Sequence, residues 1–361
     1  MPSIFLNLEN MDILSILDQH PFHLLNYLPD AEGRMIIFID EIQYLKDPSN
    51  FLKLLHDEHA ARIKIVATGS SAFYIDDHFR DSLAGRKRAF QLLTCSFDEY
   101  LQLTGKNDLL AELQRIVINK DAKTIHLQDL QREWQSFMIY GGYPAVITEP
   151  DIKEKIEKLR EIRDSFVKRD ILESGVRDET AFFHLFRLLA AQSGCLVNVH
   201  ELSGTLRIKG DTVTNYLRIL QKCFHLALVK PFYRNLRKEL TKMPKGFLLD
   251  TGLRNSLLNN FQTIQERVDK GELWEITCFR ALADRFGWDA IYYWRTADGN
   301  EVDFILPEIK SPFALECKYD ETLIRQSRYR KFKDAYPGIP LNFTWLYPFD
   351  EDFFRRLSFG G

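Results

Sequence analysis

Short apolar runs alternate with polar stretches in the first part of the chain. Each run is β-branched or aromatic and is followed by polar or glycine residues, which predicts a buried strand. The stretch Asn50–Glu58 between two of them has helical periodicity. Strands that alternate with helices predict an α/β fold with a mainly parallel sheet. The predicted strands are Ile4–Leu8, Ile36–Ile39 and Ile63–Ala67.

Helical periodicity dominates residues 107–180, with one interruption at Tyr140–Pro144, where two glycines and a proline cannot continue a helix. Three short helical segments and a basic, hairpin-like pair of strands come next, which is the pattern of a winged helix. The predicted helices are His184–Ala191, Val199–Leu206 and Thr212–Phe224, and the predicted strands are Val229–Phe232 and Gly246–Leu249, with Arg234–Lys245 between them.

The end of the chain returns to a mixed pattern. A helix is predicted at Glu272–Phe286, followed by three strands and a further helix. The strands lie near Ile291–Trp294, Val302–Ile305 and Ala314–Lys318.

Composition adds that the chain is globular, since 45% of its 361 residues are hydrophobic and 13% are aromatic. The five cysteines are odd in number and never spaced as CxxC, which argues against a disulfide framework or a zinc site and fits a reducing cytoplasm. No apolar run approaches the roughly 18 residues that span a bilayer. The N-terminus, MPSIFLNLEN, lacks a signal-peptide pattern. We therefore expect a cytoplasmic protein without a membrane partner.

Charge is unevenly distributed. The net charge is only -3, but residues 181–260 contain twelve Lys or Arg against four Asp or Glu. An excess of eight positive charges in one segment of a slightly acidic chain predicts DNA as a partner.

Two carboxylates, Asp40 and Glu41, follow the apolar run Ile36–Ile39. They stand at the end of a strand, where α/β sheets bind ligands. In a P-loop NTPase this is the Walker B position, at which the Asp acts on the Mg²⁺ shell and the Glu polarises the attacking water. The alternative is an ordinary buried strand that ends in Asp-Glu.

Polar residues also follow the next strand. Thr68 and Ser70 are candidates for contact with the γ-phosphate or the water, and the alternative is a strand-to-helix turn with a serine cap. Arg86, after SLAG, is a candidate charge-stabilising arginine, although a single arginine after glycine is otherwise a solvated surface residue.

Six motifs in fixed order resemble the bacterial and archaeal AAA-type ATPases whose C-terminal half is called domain of unknown function 4143. The motifs are IIFIDEIQYL, IKIVATGSS, SLAGR, YGGYPAV, FLLDTGLRN and YWRTADGNEVDF. The resemblance covers nearly the whole chain and implies four domains. They are a truncated P-loop AAA-type core at 1–105, a helical lid region at 106–180, a winged helix at 181–260 and an α/β restriction-endonuclease-like domain at 261–361. By the same resemblance, Arg86 would act across subunits of a homo-oligomer.

The chain departs from that family in one respect. Family members carry a GxxxxGK[ST] loop upstream of the strand at Ile4–Leu8, and this sequence contains no such loop. Its backbone N–H cradle, its lysine and its Mg²⁺-binding hydroxyl are therefore missing. In the family's sheet, the strand before the loop lies between the Thr68 strand and one near Gln91–Leu93. Because loss of a lysine is a simpler adaptation than loss of a central strand, we expect Met1 to be an internal or mis-assigned start. ATP binding is expected only in a longer form.

The last domain contains a second set of charged residues. Asp303, at the start of a predicted strand, is followed thirteen residues later by Glu316 and Lys318 in the spacing E-x-K. Period two places Glu316 and Lys318 on one face of a strand, which is the PD-(D/E)xK nuclease pattern. Asp303 and Glu316 would share Mg²⁺ while Lys318 acts on the hydrolytic water. Glu275, on the preceding helix, is a further candidate metal ligand.

The predicted winged helix provides a DNA-binding surface. A turn at Lys209-Gly210 and a cap at Asp211-Thr212 would precede its second helix, which enters the major groove in helix-turn-helix proteins. The basic hairpin residues, including Lys242 and Lys245, would contact phosphates. The alternative is a winged helix used for protein contacts. The candidate nucleic-acid residues are Thr212, Thr214, Asn215, Arg218, Arg234, Arg237 and Lys238.

Two functions follow from these patterns. The first is an ATP-gated, Mg²⁺-dependent DNA-processing enzyme that cleaves through Asp303, Glu316 and Lys318. The second is a non-catalytic regulatory module in which the nuclease-like domain binds DNA or a protein.

Overall fold

The computed structural model describes residues 2–29, 33–69, 83, 85–119, 122–166, 176–233, 242–348 and 352–356. The described residues up to Leu92 form one compact unit, and those from Leu93 onward form another. Each unit has a hydrophobic core of its own. We call them the small unit and the large unit.

The described part of the small unit contains three strands and two α-helices. They are β1 (Ser3–Asn7), α1 (Met11–Leu17), β2 (Met35–Asp40), α2 (Pro48–His59) and β3 (Ile63–Ala67). The strands form a parallel sheet in the order β1-β2-β3, so the predicted α/β fold with a parallel sheet is confirmed. Leu6 and Ile37 are buried on one face, whereas Phe5 and Phe38 are exposed on the other. The apolar runs located all three strands to within one residue.

Side-chain caps define where both helices begin. Asn10 Oδ1 accepts a hydrogen bond from the backbone N–H of Asp12 at 3.0 Å, and Asp47 Oδ1 accepts one from Asn50 at 2.9 Å. Pro48 stands at the first position of α2, where no N–H is needed. The connections between strands and helices are therefore determined locally.

Residues 91–93 form no strand, so the expected strand near Gln91–Leu93 is wrong. A strand needs a hydrogen-bonding neighbour. In the described part of the small unit, β3 is the edge of a three-stranded sheet and no strand pairs with its outer side.

The first part of the large unit is helical. Its helices are α3 (Phe97–Leu103), α4 (Asn107–Ile118), α5 (Leu127–Tyr140), α6 (Pro144–Ile147) and α7 (Ile152–Glu161), followed by a π-helix at Ile162–Phe166. The predicted interruption at Tyr140–Pro144 is confirmed. Gly141, with φ 73°, ends α5, and Pro144 begins α6.

Three helices and an antiparallel strand pair come next, as the sequence predicts. They are α8 (Glu179–Ala191), α9 (Val199–Leu206), α10 (Gly210–Lys222), β4 (Leu226–Pro231) and β5 (Lys245–Leu248). The expected cap at Asp211-Thr212 is wrong, because α10 already begins at Gly210 with Lys209 as an N-cap that makes no side-chain bond. The left-handed conformation of Arg207, φ 55°, makes the turn between α9 and α10.

The rest of the large unit is mixed. Its elements are α11 (Thr251–Leu258), α12 (Lys270–Phe286), β6 (Tyr292–Arg295), β7 (Glu301–Leu306), β8 (Phe313–Asp320), α13 (Arg330–Ala335), β9 (Leu341–Tyr347) and α14 (Phe353–Arg356). Short 3-10 helices lie at Pro21–Tyr27, Ile42–Tyr44, Ile264–Glu266, Trp288–Ala290, Glu321–Leu323 and Gln326–Tyr329.

One sheet of six strands, in the order β5-β4-β6-β7-β8-β9, runs through the large unit. Lys230 of β4 pairs with Tyr292 of β6 in parallel, so the sheet crosses the expected boundary between 181–260 and 261–361. The division into four domains stays a prediction. Across the described ranges, no helix is both long and apolar enough to cross a bilayer.

Candidate functional site

The strand ends of the small unit bring Asp40 and Thr68 together. The hydroxyl of Thr68 donates a hydrogen bond to the carboxylate of Asp40. The backbone N–H of Thr68 donates to the carbonyl of Ile39 at 2.8 Å. Two side chains predicted for an ATP site are therefore in contact, whereas Ser70 lies outside the described residues.

Glu41 has an unusual backbone conformation. Its φ of 58° is in the left-handed region, which is costly for a residue other than glycine. The turn directs the chain from β2 into the 3-10 helix Ile42–Tyr44, and the side-chain amide of Gln43 donates a hydrogen bond to the Glu41 carboxylate. Glu41 thus lies at the same strand end as Asp40, and its carboxylate accepts a hydrogen bond from Gln43.

Arg86 forms an ion pair with Asp57 of α2. Its Nε lies 2.6 Å from Oδ1 and its Nη2 3.3 Å from Oδ2, and this hydrogen bonding lowers the pKa of Asp57. Arg86 is therefore bound to a carboxylate of its own unit, and a role across subunits stays a prediction.

The E-x-K spacing and Asp303 converge in the large unit. Asp303 lies on β7, while Glu316 and Lys318 lie on the adjacent antiparallel strand β8. Lys318 Nζ is 3.8 Å from Asp303 Oδ2 and also contacts the carboxylate of Glu316. The backbone N–H of Cys317 donates to Asp303 Oδ2 at 2.8 Å, and that of Asp303 donates to Glu316 Oε2 at 3.2 Å. The predicted three-residue group is therefore a real cluster in the fold.

Lys245 enters the same cluster from β5. Its Nζ lies 3.1 Å from Glu275 Oε1 and 3.9 Å from Asp303 Oδ1, and it also contacts Glu301. The residue is only 2% exposed. The expectation that Lys245 contacts DNA phosphates is therefore wrong, because its ammonium is buried against carboxylates.

We call the group formed by Lys245, Lys318, Glu275, Asp303 and Glu316 the carboxylate–lysine cluster. Sequence reasoning missed two further members of it. Glu301, at the start of β7, contacts Lys245, and it also pairs with Arg295 at 3.3 Å. The hydroxyl of Tyr329 donates to Glu316 Oε1 at 2.8 Å. Glu301 lies two residues before Asp303, so period two places both side chains on the same face of the strand. That spacing could have predicted Glu301 as a member of the cluster.

Burial and like charge perturb the cluster's pKa values. Burial raises the pKa of Glu275 to about 7. Burial and the neighbouring Asp303 raise the pKa of Glu316 to about 8. Burial alone would lower the pKa of Lys245, but the carboxylates of Glu275, Asp303 and Glu301 outweigh it and raise that pKa above its usual value. The cluster therefore holds more negative groups than its own cations neutralise.

The arrangement of these groups does not fit a divalent metal. Carboxylate oxygens are the ligands that Mg²⁺ prefers, but here they point at the ammonium groups of Lys245 and Lys318. Across the described part of the chain, no group of three or more His, Cys, Asp or Glu side chains is placed to hold a metal ion. Glu275, Asp303 and Glu316 are thus close in space without forming a metal site.

A cleft of about 490 Å³ opens on one side of the cluster. Its walls come from the segment after α8, from α9, from α12 and from the start of β7. Lys245, Glu275 and Glu301 line it, together with Arg295. Solvent therefore reaches the cluster from the side of Glu275.

Helix α10 separates polar from apolar residues as predicted. Val213, Tyr216, Leu217 and Leu220 are buried. Thr214, Asn215 and Arg218 are exposed and Thr212 is half-buried. Arg234, Arg237 and Lys238 lie outside the described residues.

These features define an α/β protein with a parallel sheet and a second, mixed sheet. Family models then match three parts of the chain: an AAA domain at residues 2–101, a domain of unknown function (DUF8612) at 131–263 and a domain of unknown function (DUF4143) at 270–355. The chain therefore combines an AAA domain with a C-terminal domain of unknown function 4143, the arrangement that the six ordered motifs predicted.

Similar proteins are themselves uncharacterized. The uncharacterized protein MJ1637 of Methanocaldococcus jannaschii is 26% identical over 68% of this chain and 52% of its own length. The uncharacterized protein Rv2008c of Mycobacterium tuberculosis is 24% identical over 80% of this chain and 59% of its own length. The chain thus spans between half and two thirds of these relatives. A RuvB structure of Thermotoga maritima covers 63% of this chain and 74% of its own at 15% identity, with a TM-score of 0.26, too low to define a shared fold.

Proposed function

We propose that the chain is a DNA-associated AAA-type protein whose large unit binds duplex DNA through α10. The observation that carries this function is the exposed face of α10, which presents Thr214, Asn215 and Arg218 while the opposite face packs into the core. An exposed polar helix that follows a short helix and a tight turn is the arrangement that reads the major groove in winged and helix-turn-helix proteins. The other basic residues of 181–260 favour the same partner, whereas Lys245 and Arg254 are buried against carboxylates and add no surface charge.

Duplex binding measured over a range of salt concentrations tests this function. We expect Arg218→Ala and Asn215→Ala each to weaken binding by about 1–3 kcal/mol. Arg132→Ala is the matched control, because Arg132 is an exposed arginine on a different helix, α5. Affinity that is independent of salt, or equal losses in the control, would exclude α10 as the DNA-binding element.

Phosphodiester cleavage is the second candidate function, favoured by the convergence of Asp303, Glu316 and Lys318 on neighbouring strands. Because the described carboxylates are engaged by ammonium groups, we assign no chemical step to a metal. Cleavage of plasmid DNA in Mg²⁺ or Mn²⁺ that Asp303→Ala abolishes would establish an enzyme. Salt-sensitive binding that survives Asp303→Ala, with no cleavage by either protein, would establish a binding module.

We propose that the 361-residue chain binds ATP weakly or not at all. The Asp40 and Thr68 contact would form one side of an ATP site, but the sequence contains no loop able to cradle the phosphates. Calorimetry with ATP and Mg²⁺ tests this, and tight binding by the 361-residue chain would contradict it.

A further inference from the structure

Three carboxylates from two elements of the large unit converge on Lys245. Glu275 comes from the first half of α12, Glu301 from the start of β7 and Asp303 from the same strand two residues later. All three have an oxygen within 4 Å of Lys245 Nζ. The ammonium therefore stands where these carboxylates converge.

The backbone of Lys245 is fixed on both sides. In β5 it pairs with Val229 of β4, and it forms an isolated bridge with Leu196 on the other side. The flanking carbonyl of Pro244 accepts a hydrogen bond from Val197 at 2.8 Å, and the N–H of Gly246 donates to Cys195 at 3.0 Å. The side chain of Lys245 thus extends from a strand whose backbone is paired on both sides.

We propose that Lys245 is the resident cation of the carboxylate–lysine cluster, and that its ammonium takes the place of a divalent metal at Asp303 and Glu275, two of the carboxylates that the nuclease pattern predicts as metal ligands. The proposal concerns the site of the second candidate function, and it explains why the donor set there does not fit a metal. Its ammonium contacts Glu275 and Glu301 and lies 3.9 Å from Asp303, so it supplies one positive charge to these carboxylates from within the fold. A divalent ion bound by the same carboxylates would lie next to this ammonium, and the repulsion between two cations is strong in a buried site.

Lys318 plays a different part in the same cluster. Its ammonium pairs with Glu316 and lies 3.8 Å from Asp303, but no contact joins it to Glu275 or Glu301 in the described structure. Lys318 is also more exposed than Lys245. The two lysines therefore provide a matched comparison, because each carries one positive charge beside Asp303 but only Lys245 stands among the three carboxylates.

Titration with MnCl₂ tests the proposal on the complete chain, by calorimetry and by the effect of Mn²⁺ on the unfolding temperature. We expect the wild type to show no binding. Lys245→Gln, which keeps two N–H donors, and Lys245→Met should bind Mn²⁺ with an affinity at least about tenfold above the weakest that the titration detects, and Mn²⁺ should raise their unfolding temperatures. Lys318→Gln should not gain Mn²⁺ binding. Adding Glu275→Gln to Lys245→Gln should remove the gain.

Three results would overturn the proposal: Mn²⁺ binding by the wild type at this cluster, no gain in either Lys245 variant, or an equal gain in Lys318→Gln. If a Lys245 variant folds only when Mn²⁺ is present, the proposal is supported, and the wild-type titration decides the case if neither variant folds.

DNA assays separate this result from the proposed function. A wild type that neither binds nor cleaves DNA, together with Lys245 variants that gain Mn²⁺ binding, would remove the proposed function and leave the resident cation. Cleavage of DNA by the wild type, with no gain of Mn²⁺ binding in the Lys245 variants, would support the second candidate function and overturn the proposal on Lys245.

Discussion

Asp250 joins three separate segments of the large unit. Its Oδ2 accepts hydrogen bonds from Thr94 Oγ1 at 2.9 Å and from the N–H of Gly142 at 2.8 Å, while its Oδ1 caps α11 at Leu253 with a distance of 2.8 Å. The motifs YGGYPAV and FLLDTGLRN, far apart along the chain, thus meet at one carboxylate. Their role in the described structure is packing and capping.

Gly252 of the same motif cannot accept a side chain. A Cβ there would lie against the carbonyl oxygen of Tyr140, well inside van der Waals contact. We expect Gly252→Ala to lower the free energy of unfolding by about 1–3 kcal/mol, because backbone rather than a flexible side chain must move. Urea unfolding measures the change. The control is Gly204→Ala in α9, where a Cβ meets nothing within 4 Å; it should be neutral or stabilising.

Glu316 should make stability depend on pH. Burial and Asp303 raise its pKa from an ordinary value of 4.5 to about 8. The folded state therefore holds this proton more tightly than the unfolded state, so the stability that Glu316 contributes is complete below about pH 4.5 and is lost as pH rises to about 8. Glu316→Gln should gain stability relative to the wild type across that window in urea unfolding. Glu157→Gln, an exposed change on α7, should follow the wild type. A Glu316→Gln curve parallel to the wild type would contradict this assignment.

At the scale of elements, the strands were the most predictable part. Ile63–Ala67 is a strand at the predicted bounds, because β-branched residues favour a strand. The prediction that this strand is buried is wrong, since only Ile63 is buried and β3 lies at the described edge of its sheet. The start of α10 was missed because Asp211 resembles a cap, but the turn at Arg207 lets the helix begin at Gly210. The local sequence pattern cannot show whether Lys209 or Asp211 precedes the first residue of the helix, because the preceding turn decides where the helix begins.

The candidate sites show the same limit for charged residues. Asp303, Glu316 and Lys318 could be grouped from sequence, since two adjacent strands and period two bring them together. Lys245 could not, because the pairing of β5 with the chain after α8 decides that its ammonium is buried. From sequence alone a charged residue such as Lys245 is expected at the surface, and only the fold shows that it is buried against carboxylates.

Helices α11 and α12 are joined by a buried ion network. Asp269 accepts hydrogen bonds at 2.8 Å from both Arg254 and Arg267, which are 1% and 2% exposed. We expect Asp269→Asn to cost about 3 kcal/mol or more, because two buried guanidinium groups lose their counter-charge. Thermal unfolding measures the loss. Asp298→Asn breaks an exposed pair with Lys331 and should change stability little. Equal effects of the two changes would mean that Asp269 is not the counter-charge of this network.

At the scale of the whole molecule, the two cores lie on opposite sides of Leu92 in the chain. The core of the small unit runs from Leu6 to Leu83, and the main core of the large unit runs from Phe97 to Phe354. We expect a fragment of residues 93–361 to unfold cooperatively, because its core draws no residue from the small unit. It should also bind duplex DNA as tightly as the complete chain, since α10 lies within it, and Arg218→Ala should weaken both alike. Circular dichroism and the salt-dependent binding assay measure these properties. A fragment that folds but has lost DNA affinity would place the DNA-binding surface in the small unit, and a fragment without a cooperative transition would show that the large unit depends on residues before Leu93.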